Sequence, residues 1–176
     1  MTAHPKEHRK FWIADKATEH QWKFGAELGV QEGVTLKHVI KQNPQLIMCG
    51  IDLWATSLTQ LSVNKTWGPK TGIMHKTLKK WVKENNLRDR IYLFKLSTVL
   101  ASYMFKDEQL DFVFIDADHE YDGVNKDIAH YKPKVKKGGY IIGHDINKKD
   151  VRKAVEEHFG NNYEKGPDLI WYHVKG

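Results

Sequence analysis

The densest run of reactive side chains is Asp116-Ala117-Asp118-His119-Glu120-Tyr121, which directly follows the apolar run Asp111 to Ile115 (DFVFI). So many polar groups beside a buried strand are costly unless they work together. An Asp with a His three residues on offers an oxygen ligand and a base that titrates near neutral pH. A second group, Gly143-His144-Asp145, ends another apolar run. If these two strands are neighbours, Asp116, His144 and Asp145 converge as oxygen and nitrogen ligands for a divalent cation such as Mg²⁺ or Mn²⁺. The plainer reading is a set of helix caps and solvated carboxylates. Taken singly each residue fits that reading equally well; taken as a constellation they favour chemistry, with His119 as general base.

Upstream, Glu27-Leu28-Gly29-Val30-Gln31-Glu32-Gly33 places two glycines four residues apart after a short apolar segment. The glycines allow a tight turn and close backbone approach to a ligand, and a helix starting behind them offers free N–H groups. The pattern is not the GxGxxG of dinucleotide enzymes. The acid at position 27 would repel a pyrophosphate and suits a ligand with a positive centre and an ammonium group. Asp52 ends the next apolar run (LIMCGID, 46–52), about 20 residues beyond the turn, where a carboxylate can accept hydrogen bonds from two ribose hydroxyls. Leu53 and Trp54 offer an apolar wall for an adenine ring, and Ser97 either caps a helix or contacts the base.

These residues need a scaffold that gathers strand ends. Apolar strand candidates (24–29, 46–52, 91–94, 111–116, 140–143) alternate with helical patterns at Leu36/Val39/Ile40, Leu78/Trp81/Val82, 98–106, Val124/Ile128/Tyr131 and Val151/Ala154/Val155. That alternation predicts an α/β fold, a doubly wound Rossmann-like sheet with helices on both faces. Two short strands near 162–165 and 169–174, split by Gly166-Pro167, predict a closing hairpin with one antiparallel strand. Residues 1–22 read as an N-terminal extension. Residues 55–77, with Trp67-Gly68-Pro69, read as a loop or lid that selects the substrate.

The 176 residues, 40% hydrophobic and 28% charged, fit one ordinary domain. No apolar run is long enough for a membrane span. A single cysteine, Cys49, excludes an internal disulfide and points to a reducing, cytoplasmic setting. The net charge of +6 comes largely from lysines at 76, 79, 80 and 83 and at 132, 134, 136 and 137. Solvated faces explain such clusters better than an anionic partner does.

Three pieces, ELGVQEG followed by GID, DFVFIDADHEYDGV, and KKGGYIIGHDI, together resemble the class I S-adenosylmethionine (SAM)-dependent methyltransferases, from about Phe24 to the end. The resemblance implies a seven-stranded, mostly parallel sheet with an antiparallel last strand. It assigns Glu27, Gly29 and Gly33 to the methionine end of SAM and Asp52 to the ribose; Gln31, in the same turn, and Asp116 are further cofactor-binding candidates. Within the class, Asp116-x-x-His119 is similar to the macrolide-sugar O-methyltransferases, where the histidine is the base; catechol and caffeoyl-CoA types carry lysine there. Asp145 matches a second metal carboxylate in both groups. The chain departs from the catechol type at Ile146, where that group has Asn, and from the sugar type at His144, where that group has Glu. The expected reaction is O-methylation of a small hydroxylated acceptor or a sugar. The rivals are a nucleic-acid methyltransferase of the same fold and a non-catalytic SAM-binding protein; a homodimer is compatible with either use.

Overall fold

The computed structural model describes residues 8–54 and 71–176. In chain order the elements are α1 (Arg9–Glu19), β1 (Phe24–Leu28), α2 (Val34–Gln42), β2 (Ile47–Asp52), α3 (Thr71–Glu84), β3 (Ile91–Lys95), α4 (Thr98–Ser102), β4 (Leu110–Ile115), α5 (Tyr121–Tyr131), β5 (Val135–Gly143), α6 (Lys149–Phe159), β6 (Glu164–Lys165) and β7 (Trp171–Val174). The strands form one seven-stranded sheet in the order β3-β2-β1-β4-β5-β7-β6. β1 to β5 pair in parallel, and β7 runs antiparallel to both β5 and β6. The expected closing hairpin is this β6–β7 pair, with Glu164 opposite Tyr172 and Lys165 opposite Trp171.

Burial explains why the strands read as continuous apolar runs. In β4, Phe112 to Ile115 are all buried, because both faces of the sheet carry helices. Period-two alternation divides them. Phe112 and Phe114 join the core with Leu36, Val39 and Ile40 of α2 and Leu78 of α3. Val113 and Ile115 join the core with Val124 and Ile128 of α5 and Val151 and Val155 of α6. Phe112 also stacks on Trp22 with ring centroids 4.5 Å apart, and burying a ring of that size stabilises by roughly 2–3 kcal/mol.

Several boundaries differ from the sequence reading. Residues 9–19, expected to be part of an extension, form α1, which packs through Ile13, Ala14 and Ala17. β5 begins at Val135 rather than Tyr140, because a register shift between Leu110 and Phe112 accommodates Gly138 at φ +73 and lets the polar stretch 136–138 stay on the strand. Of the expected lid, residues 71–77 are the first half of α3, and 55–70 lie outside the described residues. Lys76, Lys79, Lys80 and Lys83 occupy the exposed face of α3, opposite Met74, Leu78 and Val82. In the second lysine group, Lys134 pairs with Asp107 and Lys136 with Asp111. Among the described residues no helix is long and apolar enough to cross a membrane.

Candidate active site

The winding of the chain reverses between β1 and β4, the place where open α/β sheets bind ligands at the carboxyl ends of their strands. A cleft of about 350 Å³ opens there. It is lined by Glu27, Gly29, Gln31 and Thr35 on one side and by Asp116, His119, His144 and Asp145 on the other, with Arg9 between them.

The glycine turn is dictated by crowding. Gly29 sits at φ +85, and a Cβ there would lie 2.2 Å from the carbonyl oxygen of Asp116. Gly33, at φ +72, is the N-cap of α2, so the turn delivers the first residues of that helix, Val34 and Thr35, to the cleft. Glu27, at the end of β1, is 3% exposed, and its Oε2 has no hydrogen-bond partner. Burial pushes its carboxyl well above the ordinary range, with the Asp116 carboxylate adding to the effect and Arg9 opposing it. A buried acceptor left open is expensive, and at the rim of this cleft it fits a cationic ligand group.

Asp52 ties the turn to the end of β2. Its Oδ2 accepts from the backbone N–H of Gln31 at 2.8 Å and its Oδ1 from that of Trp54 at 2.6 Å. Each oxygen keeps a second lone pair for a ligand hydroxyl. Trp54 is 2% exposed. Its indole donates to the Gln31 carbonyl at 2.9 Å and stacks on His75 with centroids 4.4 Å apart. The ring therefore packs among the described residues, whereas Leu53 is exposed. Ser97 caps α4, its Oγ accepting from the Leu100 N–H at 3.3 Å. Asp52, which ends β2, Leu53 and Trp54 after it, and Ser97 after β3 lie outside the lining of the 350 Å³ cleft.

On the other side, the ends of β4 and β5 are paired neighbours, Ile115 opposite Gly143. That pairing brings together Asp116, His144 and Asp145, which present ligand atoms within 4.8 Å of one another. Nδ1 of His144 is 3.5 Å from Asp116 Oδ1 and 3.3 Å from Asp145 Oδ1. Nε2 of His119 is 2.7 Å from Asp145 Oδ2 and 3.8 Å from Asp116 Oδ1. Asp118 sets up this histidine: its Oδ1 accepts from the N–H groups of His119 and Glu120, at 2.7 and 3.0 Å, as α5 begins. Asp145 holds a left-handed backbone, φ +60, which costs energy and is tolerated by Asp better than by most residues. Burial raises its carboxyl, but Lys148, with His144 and His119, outweighs that and holds it below the usual carboxylate range.

Three residues of this neighbourhood were not found from sequence. Arg9 lies 3.6 Å from Asp116 Oδ2 through Nη2 and donates Nη1 to Asp168 Oδ2 at 3.2 Å. Lys148 reaches Asp145 Oδ2 at 2.7 Å. Only Lys148, three residues after Asp145, carried a local signal. Arg9 and Asp168 are 159 positions apart and meet only through packing.

A methyltransferase-domain family model matches residues 26–146, which covers the glycine turn and both acidic strand ends. No curated protein matches the chain. Among solved structures, the chain is similar to a proposed caffeoyl-CoA O-methyltransferase from Staphylococcus aureus, at 16% identity and a TM-score of 0.71, over 95% of this chain and 82% of that one. It is similar to a proposed O-methyltransferase from Klebsiella pneumoniae, at 14% identity and a TM-score of 0.71, over 100% and 84%. It also resembles an O-methyltransferase from Bacillus cereus in complex with SAH, at 15% identity and a TM-score of 0.66, over 98% and 82%. At these identities the likeness carries the fold, and the family match carries the membership: this chain belongs to the methyltransferase-domain family.

Proposed function

We propose that the protein transfers a methyl group from SAM to a hydroxyl of a small acceptor, a sugar or another hydroxylated molecule, with His119 as the general base. The observation that carries this reading is the 2.7 Å contact of His119 Nε2 with Asp145 Oδ2 on the wall of the cleft. Asp145, held ionised, accepts the Nε2 hydrogen, so Nδ1 of a neutral His119 is the nitrogen left to take the acceptor's proton.

SAM supplies an electrophilic methyl group on a sulfonium. The open Oε2 of buried Glu27 suits its ammonium end, the turn through Gly29, Gln31 and Gly33 suits close approach to the methionine portion, and Asp52 suits the ribose hydroxyls. Leu53, exposed beside Asp52, remains for the adenine. The oxygen and nitrogen donors of Asp116, His144 and Asp145 fit a divalent cation such as Mg²⁺ or Mn²⁺. A cation there would lower the pKa of an acceptor hydroxyl. Asp145 can divide its work, Oδ1 facing His144 while Oδ2 orients His119. The protein's main contribution is orientation and exclusion of water.

Calorimetric titration with SAM and SAH, with and without Mg²⁺, tests the cofactor. A screen of hydroxylated acceptors, read as SAH formed, tests the reaction. Activity abolished by excess chelator and restored by Mg²⁺ or Mn²⁺ supports the cation, and activity persisting in chelator rejects it. No SAM or SAH binding by folded protein rejects the whole reading.

A further inference from the structure

Two of the chain's own cations already sit on the carboxylates of the candidate cation site. Lys148 contacts Asp145 Oδ2 at 2.7 Å, but its side chain is 44% exposed and free to swing into solvent. Arg9 is held more firmly. Its side chain is 25% exposed, and both its backbone N–H and its Nη1 donate to Asp168 Oδ2 at 3.2 Å. From that anchorage Nη2 stands 3.6 Å from Asp116 Oδ2, and Nη1 stands 3.4 Å from Nε2 of His144.

The last contact has a consequence for ligation. A guanidinium donates and never accepts. For that contact to be a hydrogen bond, Nε2 of His144 is the acceptor and the ring hydrogen sits on Nδ1, the nitrogen that faces Asp116 and Asp145 at 3.5 and 3.3 Å. Arg9 thus opposes a cation in two ways: it neutralises Asp116, and it leaves His144 presenting a hydrogen to the carboxylates where a ligand must present a lone pair.

We propose that Arg9, supported by Lys148, is a built-in counter-ion that a divalent cation must displace in order to bind Asp116, His144 and Asp145. The proposal rests on reading those three residues as a cation site. It makes loading of the site depend on the first turn of α1, which carries Arg9, and on Asp168, which anchors it.

The test is the affinity of the metal-free full-length chain for Mn²⁺ alone, read by electron paramagnetic resonance without SAM or acceptor. Like charges a few ångströms apart repel strongly at a half-buried site. Arg9→Gln is therefore expected to tighten Mn²⁺ binding by about tenfold, and Lys148→Gln, at a more solvated position, by about threefold. Arg9→Lys, which keeps the charge, is expected to stay within about twofold of the unaltered chain. Mn²⁺ binding that is unchanged or weaker in folded Arg9→Gln overturns the proposal, as does Arg9→Lys tightening as much as Arg9→Gln. Should Arg9→Gln fail to fold, the exposed Lys148→Gln decides alone, and unchanged or weaker affinity there overturns it. If neither the unaltered chain nor any variant binds Mn²⁺, the cation site fails together with the counter-ion. Equal affinity in all of them overturns the counter-ion only.

Discussion

Nε2 of His119 and Nζ of Lys148 share one oxygen, Oδ2 of Asp145, each at 2.7 Å. The lysine helps keep that carboxyl ionised, and the ionised oxygen fixes the histidine's orientation and tautomer. With His119 in the proposed role of base, its loss should therefore harm turnover far more than cofactor binding. His119→Ala is expected to lower kcat by about 10²–10⁴-fold while SAH affinity stays within about twofold by calorimetry. Turnover unchanged on an acceptor identified by the screen removes His119 from the role of base.

Asp52 makes a different prediction because it serves two purposes. Its carboxylate holds the backbone of Gln31 and Trp54, and Trp54 sits at φ +40, a strained backbone for an aromatic residue. Asp52→Ala should weaken SAH binding by about tenfold through loss of the proposed ribose contact, and lower stability by about 1–3 kcal/mol through two unpaired N–H groups. Asp52→Asn retains one acceptor oxygen and should fall between the two in both measurements. Calorimetry and thermal melts separate the effects. Full SAH affinity in a folded Asp52→Ala rejects the ribose contact.

What was legible in the sequence was whatever depended on one strand and its end. β4 and β5 announced themselves as apolar runs closing on Asp116 and on His144-Asp145, because strands buried on both faces cannot afford polar residues until they emerge. The hairpin was legible from Gly166-Pro167. α1 was not, because its buried face consists of Ile13 and two alanines, too small and too mixed with charges to form a clear stripe. Missing α1 meant missing Arg9, whose partners Asp116, His144 and Asp168 all come from distant parts of the chain. The orientation of Trp54 was hidden for a related reason. A tryptophan after a strand end can face ligand or core, and the Gln31 carbonyl and the His75 ring, both supplied by other elements, turn it inward.

Gly29 tests the packing that sets the cleft. A methyl group there meets the carbonyl of Asp116 at 2.2 Å and Cα of Ala117 at 2.6 Å, on a backbone at φ +85 that side chains rarely adopt. Neither contact is with a flexible side chain, so relief requires β1 to part from the segment that carries Asp116. Gly29→Ala is expected to cost about 3 kcal/mol or more, seen as a fall in Tm of about 6–12 °C. A melting temperature within about 2 °C of the unaltered chain would mean that the turn relaxes freely, and the close approach of β1 and β4 would lose its importance.

The last prediction concerns pH and lies away from the cleft. Asp127 on α5 is 2% exposed. Burial pushes its carboxyl up to about 7, a hydrogen bond with Thr98 opposing the rise and the charge of Asp118 adding to it. In the unfolded chain the same group titrates near about 3.9. Between those values the folded state binds the proton more tightly. Its stabilising contribution is therefore fully present below about pH 4 and is lost as pH rises through the folded value. By pH 8 the cost is on the order of 2–4 kcal/mol. Asp127→Asn has nearly the same shape, retains hydrogen-bonding groups for Thr98 and carries no charge at any of these pH values. Urea unfolding is expected to show this variant more stable than the unaltered chain by that amount at pH 8, with the difference shrinking steadily toward pH 5. Equal displacement of the two unfolding curves at pH 5 and pH 8 would show that Asp127 does not exchange its proton on folding.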